Sequence, residues 1–242
     1  MIDRRLRRTT PHGVLVAVEV ASEITDLSAV ELHEEEIGRA QEYRGARRTS
    51  FVAGRVALAE ALAMLGAPRV AIGTDDRGAP TPPLGFVGSI SHKGALGVAL
   101  AAVDQGARVG VDVERLGRLR DGVAELVLVP KELDRLPPRA EADERTAAVL
   151  TAFSVKEAIY KAIDPFVRRY VGYHEAHIVL PPRAAMRGGF ARVEVSLELS
   201  RGESIAALEA WVLEHEGVVI STARADQRPA AARSSASSRA GS

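Results

Sequence analysis

Hydrophobic positions along the chain change period several times, and each change marks an element. GVLVAVEV (13–20) is a nearly unbroken, β-branched run of strand length, as a strand buried on both faces would be. ELHEEEIGRAQ (31–41) reads as a polar helix. In RRTSFVAGRVALAEALAMLG (47–66), Val52, Val56, Ala59 and Ala63 recur at helical spacing up to Gly66, a residue suited to a C-cap. A short strand is expected near 70–72, followed by the turn-rich DDRGAPTPPLG (75–85) and two apolar strands, VGSIS and ALGVALAAV. GVDVERL (110–116) then alternates strictly, with Val111 and Val113 on one face and Asp112 and Glu114 on the other. The pattern over 119–136 is helical and broken at Pro130, PPRAEADER (137–145) reads as a solvated loop, and a strong helix over 145–163 is stopped by Asp164-Pro165. RVEVSLELS (192–200) alternates as a strand, and ALEAWVLEHEGVVISTAR (207–224) predicts a hairpin turning at Glu216-Gly217. The closing ADQRPAAARSSASSRAGS is small, polar and aperiodic, so 225–242 reads as a disordered tail.

Strand, helix and strands thus occur once before about residue 106 and again after it. That order predicts an α+β protein of two similar subdomains, 1–106 and 107–224, related by architecture and not by matching residues. At 242 residues a substantial core is expected. Lys plus Arg equals Asp plus Glu at 32 each, which gives no net attraction to nucleic acid or to an anionic membrane, so any polyanion must be held locally. Cysteine is absent, which excludes disulfides, thiolate metal sites and Cys nucleophiles and suits a reducing cytoplasm. The start RRLRRTTPHGVLVAVEVAS is basic like a targeting leader, but its apolar run ends at Glu19, and no stretch approaches the roughly 20 apolar residues of a membrane span.

Why a strand should carry two acids on one face is the question that leads to function. Side chains two apart on a strand lie about 7 Å from each other, close enough to share one divalent cation and otherwise repelling. The plain alternative is a solvated edge face partnered by Arg115 and Arg118. A second acidic motif alters the weighing. In FSVKEAIYK (153–161), Glu157 and Lys161 share a helix face, Lys156 sits one step around, and Val155, Ala158, Ile159 and Ala162 form an apolar side. An ordinary i,i+4 salt pair would explain Glu157 and Lys161; a third carboxylate with phosphate-holding lysines would explain more.

Taken together, Arg47 and Arg55 eight apart in an Arg-rich helix, GSISH, GVDVE and F-S-x-K-E-x-x-Y-K resemble the 4′-phosphopantetheinyl transferases, specifically the enterobactin-synthetase and actinobacterial type of the Sfp-like group. The resemblance covers most of residues 44–180. It implies transfer of the phosphopantetheine arm of coenzyme A to a serine of an apo acyl, aryl or peptidyl carrier protein, with release of adenosine 3′,5′-bisphosphate. Asp112, Glu114 and Glu157 match the ligands of Mg²⁺, for which Mn²⁺ can substitute. Glu157 also matches the base proposed for the serine hydroxyl; bound metal lowers a carboxylate's basicity, so the ligand role ranks first. Lys156 and Lys161 match lysines on the pyrophosphate. His92 matches the contact to the 3′-phosphate, Ser91 a neighbouring hydrogen-bond donor, and Arg47, Arg55 and Arg77 the basic residues around the nucleotide, with Arg44 and Arg48 as rivals of Arg47.

Three departures from the family pattern stand out. Val155 replaces a small residue, Lys93 stands where Cys is common, and PTPP lacks the tryptophan of PLWP; neither Val155 nor Lys93 is expected to touch a ligand. His174 and His177 in YHEAHIVL read as structural. The resemblance further implies a cytoplasmic monomer of the holo-[acyl-carrier-protein] synthase type, active in siderophore or other secondary metabolite biosynthesis, with coenzyme A between the halves. Basic Arg118, Arg120, Lys131 and Arg135 are the expected landing surface for an acidic carrier. Two other classes remain open: a metal-dependent phosphohydrolase or nuclease, disfavoured by neutral charge and 4% aromatic content, and a non-catalytic module that binds coenzyme A or a carrier.

Overall fold

Two antiparallel sheets carry the chain, each with a long helix laid across one face. The structure, a computed structural model, describes residues 2–20 and 23–227. In chain order come β1 (Ile2–Thr10), β2 (Gly13–Val20), α1 (Glu34–Glu42), α2 (Gly45–Met64), the two-residue strands β3 (Gly73–Thr74) and β4 (Pro80–Thr81), β5 (Phe86–Lys93) and β6 (Leu96–Val103). β7 (Arg108–Arg115), α3 (Val123–Val127), α4 (Pro130–Leu133), α5 (Ala142–Val167), β8 (Ala176–Val179), α6 (Arg183–Gly188), β9 (Ala191–Leu197), β10 (Ala207–His215) and β11 (Val218–Asp226) follow. The first sheet has the order β1-β2-β6-β5 and the second β7-β11-β10-β9-β8. The α+β reading thus holds.

The sheets and helices make three cores. The apolar face of α2 (Val52, Val56, Ala57) packs on Val16, Val18, Ala99 and Ala101. That of α5 (Val155, Ala158, Ile159, Ala162) packs on Ala210, Val212, Ala223 and Ala225. Between the sheets lies a third, in which Leu15, Ala17, Val98 and Leu100 meet Val111, Val113, Leu213 and Ile220. This settles which way the acidic strand faces: the valines of β7 enter the inter-sheet core, and the acids turn toward α5. Each helix approaches its sheet at a glycine. A side chain on Gly97 would strike the α2 backbone at Ala53 and Gly54, and one on Gly110 would strike the α5 backbone at Ala158.

Several boundaries differ from the sequence reading. β1 was not expected; its polar composition is tolerated because it is the outer strand, paired only with β2. The short strand lies at 73–74 and not at 70–72, and the helical pattern over 119–136 resolves into the separate α3 and α4. α5 begins at Ala142, inside the expected loop, and runs through Pro165 instead of stopping before it. Proline there removes one hydrogen bond close to the helix end, and the last turn still closes through the Arg168 N–H donating to the Asp164 carbonyl at 2.8 Å. Glu216 and Gly217 both have positive φ, 46° and 75°, as the expected tight hairpin requires. Of the expected tail, Ala225 and Asp226 belong to β11, and 228–242 lie outside the described residues. Among the described residues no helix is long and apolar enough to cross a membrane.

The β1–β2 turn docks onto the second sheet through His12, which is 2% exposed and shares a 3.0 Å hydrogen bond between its Nδ1 and Thr222 Oγ1. Burial lowers its pKa to about 4, against a partial pull upward from Glu209. The unfolded chain therefore binds the proton first, and stability falls as pH drops from about 6.5 toward 4. Urea unfolding at pH 7 and pH 5 should show a loss of about 2 kcal/mol from this group, absent in His12→Gln.

Candidate active site

β7 and α5 cross at Gly110, and this close packing brings their polar side chains together at one end of the cleft between the sheets. Asp112 is buried, and its Oδ1 accepts from Lys161 Nζ at 2.8 Å and from Ser91 Oγ at 2.8 Å. Lys161 Nζ also donates to the Val111 carbonyl at 2.9 Å. Asp112 Oδ2 is buried with no hydrogen-bond partner. Glu114, 6% exposed, pairs with Lys93 Nζ at 2.5 Å. Burial pushes its carboxyl up, Lys93 pulls it back, and the negative charges of Asp112 and Glu157 add to the rise. Glu157 Oε1 accepts from the Tyr173 hydroxyl at 2.5 Å, which together with burial raises the pKa of the phenol.

The cleft beside this cluster has a volume of about 590 Å³ and is lined by Arg47, Arg77, His92 and Lys161, with Pro80, Pro82 and Phe86 as apolar walls. Arg77 forms two bonds to Asp164, from Nε at 2.7 Å and Nη2 at 2.5 Å, tying the turn between β3 and β4 to α5 and so joining the two sides of the cleft. Arg47 lies in the first turn of α2, exposed, with its guanidinium 5.1 Å from the centre of the Tyr43 ring. Its rival Arg48 is occupied elsewhere, donating to the carbonyls of Ala40, Tyr43 and Ile24, and Arg44 is the exposed N-cap residue of α2. His92 stands near enough to Arg47 and Lys161 that, after burial, their charges lower its pKa further. Lys161 is shared by the basic cleft and the carboxylate cluster, so the cleft can take a phosphorylated ligand and the neighbouring carboxylates are of the kind that hold a hard cation.

A family model described as 4′-phosphopantetheinyl transferase superfamily matches residues 108–222, and one described as 4′-phosphopantetheinyl transferase N-terminal domain matches 33–102. The sequence is 37% identical over 169 residues to the 4′-phosphopantetheinyl transferase Npt of Nocardia iowensis, covering 69% of this chain and 73% of that protein. This chain belongs to the 4′-phosphopantetheinyl transferases. It is also 34% identical to the transferase Svp of Streptomyces mobaraensis, over 76% of this chain and 74% of the relative. Enterobactin synthase component D of Salmonella typhi is 29% identical over 76% of this chain and 83% of its own length. The protein is thus a phosphopantetheinyl transferase of the Sfp-like group, with coenzyme A as substrate and carrier proteins as acceptors.

Within this transferase, some expected residues meet at the site and others do not. Asp112, Glu114, Glu157 and Lys161 converge, with Arg47, Arg77 and His92 along the cleft. Lys156 points away: at 2% exposure its Nζ donates to Glu132 Oε2 at 2.7 Å, Val127 O at 2.9 Å and Tyr173 O at 3.1 Å. With three acceptors around it, its ammonium has no hydrogen left for a pyrophosphate. Arg55 lies under the cleft floor, 5% exposed, with its guanidinium on Ile72 O at 2.6 Å, Gly73 O at 3.0 Å and Thr74 Oγ1 at 2.7 Å. It borders the cleft, but its guanidinium is spent on these acceptors. Ser91 donates to Asp112 and not into the cleft, and Lys93 touches a candidate ligand, contrary to expectation. Tyr173 has no local pattern and Asp164 read only as a helix stop; their three-dimensional partners mark both.

The three carboxylates suit magnesium in chemistry, being hard oxygen donors, and the unpartnered Asp112 Oδ2 is an orphan that an ion would satisfy. Among the described residues no three His, Asp or Glu side chains stand as a ready metal-holding group. Lys161, Lys93 and Tyr173 each hold one oxygen of these carboxylates.

Proposed function

We propose that the protein converts apo acyl or peptidyl carrier domains to the holo form, as a holo-[acyl-carrier-protein] synthase, with Mg²⁺ or Mn²⁺ held by Asp112, Glu114 and Glu157. The observation that carries this reading is that Lys161, which lines the basic cleft, is bonded to Asp112, the carboxylate that stands with Glu157 beside Glu114. The serine oxygen of the carrier bonds to the β-phosphorus of coenzyme A, and the bond from that phosphorus to the bridging oxygen breaks. Adenosine 3′,5′-bisphosphate leaves, and the serine proton passes to Glu157 or to solvent. A divalent ion supplies charge stabilisation at the diphosphate when bound. Lys161, fixed by Asp112 and the Val111 carbonyl, presents positive charge where the leaving oxygens gain negative charge. Arg47 and His92 face the nucleotide phosphates, while Arg77, locked to Asp164, holds the turn that lies over the nucleotide.

The carrier approaches over α3 and α4, where Arg118, Arg120, Lys131 and Arg135 are all exposed and Leu126 is 63% exposed. One chain supplies both walls of the cleft, which supports action as a monomer; the absence of cysteine supports a cytoplasmic enzyme, and the balanced charge one that engages neither nucleic acid nor membrane. Intact-mass spectrometry of apo acyl, aryl and peptidyl carrier proteins, incubated with the protein, coenzyme A and Mg²⁺, tests the assignment. One phosphopantetheine gained by at least one carrier, with equimolar adenosine 3′,5′-bisphosphate, is expected. Release of inorganic phosphate with no carrier modified would instead indicate a phosphohydrolase.

A further inference from the structure

Lys93 is the cation that the motifs do not explain. It ends β5, one residue past His92, and its ammonium reaches 2.5 Å from Glu114 Oε2 although the side chain is 47% exposed. The partner is 8% exposed at its side chain and faces Asp112 and Glu157 as well. A carboxylate so placed needs a positive neighbour, because burial and two like charges both oppose its ionisation. In the described state that neighbour is Lys93, just as Lys161 is the neighbour of Asp112.

We propose that Lys93 is a built-in counterion of the carboxylate cluster, and that a divalent ion using Glu114 binds in direct competition with its ammonium. The inference rests on the three-carboxylate metal site proposed above. Two ammonium groups already face three carboxylates. A divalent ion added without displacing either would leave more positive than negative charge in a half-buried site, so the more exposed lysine yields. Lys161 is the worse candidate to leave, since it is also held by the Val111 carbonyl. Lys93 then lowers the affinity for metal and keeps the cluster from repelling itself when no metal is present.

Titration calorimetry with Mn²⁺ on the full-length, metal-stripped protein tests this without reference to turnover. Lys93→Met should bind Mn²⁺ about tenfold more tightly than wild type, and Lys93→Arg, which keeps the charge, should stay within about twofold. The metal-free Lys93→Met protein should melt at lower temperature and gain more from added Mn²⁺ than wild type does. As a second measure on unaltered protein, the Lys93 ammonium protons should be slowed in exchange without metal and become fast on saturation with Mg²⁺, read by nitrogen-detected NMR of the lysine side chains. Equal or weaker Mn²⁺ affinity in Lys93→Met, while Asp112→Asn loses binding, overturns the competition and leaves the metal site standing. Absence of Mn²⁺ uptake by both wild type and Lys93→Met overturns the site and the competition together.

Discussion

Asp112→Asn should retain the fold and lose transfer activity by about 10³-fold in kcat/KM, measured by intact-mass turnover of a carrier protein. The amide keeps the shape of the side chain and can still accept from Ser91, but it removes the charge that opposes Lys161. Lys161 is then left with neutral acceptors only, the amide oxygen and the Val111 carbonyl, and one candidate ligand to the ion becomes neutral. Loss of charge at this one atom pair therefore strikes both of the groups proposed to face the diphosphate. The melting temperature, recorded in the same samples, should stay within a few degrees of wild type. More than a tenth of wild-type activity in a folded Asn variant would remove Asp112 from the chemistry.

Lys156→Met is the second large effect, and it should act on stability. The ammonium of Lys156 joins α5 to the end of α3, to Glu132 on α4 and to the turn at Tyr173. Removing it strands the Glu132 carboxylate, 7% exposed, and should cost about 3–5 kcal/mol in urea unfolding. Glu132 also accepts the amides of Val129 at 3.0 Å and Ile178 at 2.7 Å, so its oxygens cannot simply be deleted. The double variant Lys156→Met with Glu132→Gln removes the stranded charge and keeps one of the two acceptor oxygens, and it should recover part of the lost stability. In that double variant the folded protein should transfer phosphopantetheine within about threefold of wild type. A loss of 10²-fold or more with stability restored would return Lys156 to the reaction.

The contrast between Lys156 and Lys161 shows what the chain reveals before folding and what it hides. Strict alternation placed Asp112 and Glu114 on one face, and the four-residue spacing placed Glu157 with Lys161; both arrangements follow from backbone geometry alone. Lys156 lies one step around α5, and nothing local says which neighbour that step meets. Its direction was decided by Glu132, which lies 24 residues earlier on a separate short helix. Arg55 misled for the same reason, since the carbonyls it binds sit just before and at the start of β3, 17 and 18 residues away. Lys93 was not expected to touch a ligand because its partner is on another strand. The elements themselves were more legible than their ends. The long helix and the hairpin at Glu216-Gly217 follow from periodicity and turn chemistry, whereas passage through Pro165 depends on how little one missing bond costs near a helix end.

The inter-sheet core has a further consequence for how substrate gets in and out. Because Leu15, Val98 and Leu100 on one side interlock with Val111, Val113 and Ile220 on the other, the two sheets are glued back to back and cannot swing apart like a clamshell. The cleft is therefore a slot of fixed width, and admission to it falls to the side chains at its mouth. The same seam makes the halves inseparable: a chain cut near residue 106 would leave two fragments, each with a naked greasy flank, and these should precipitate apart yet fold when expressed together.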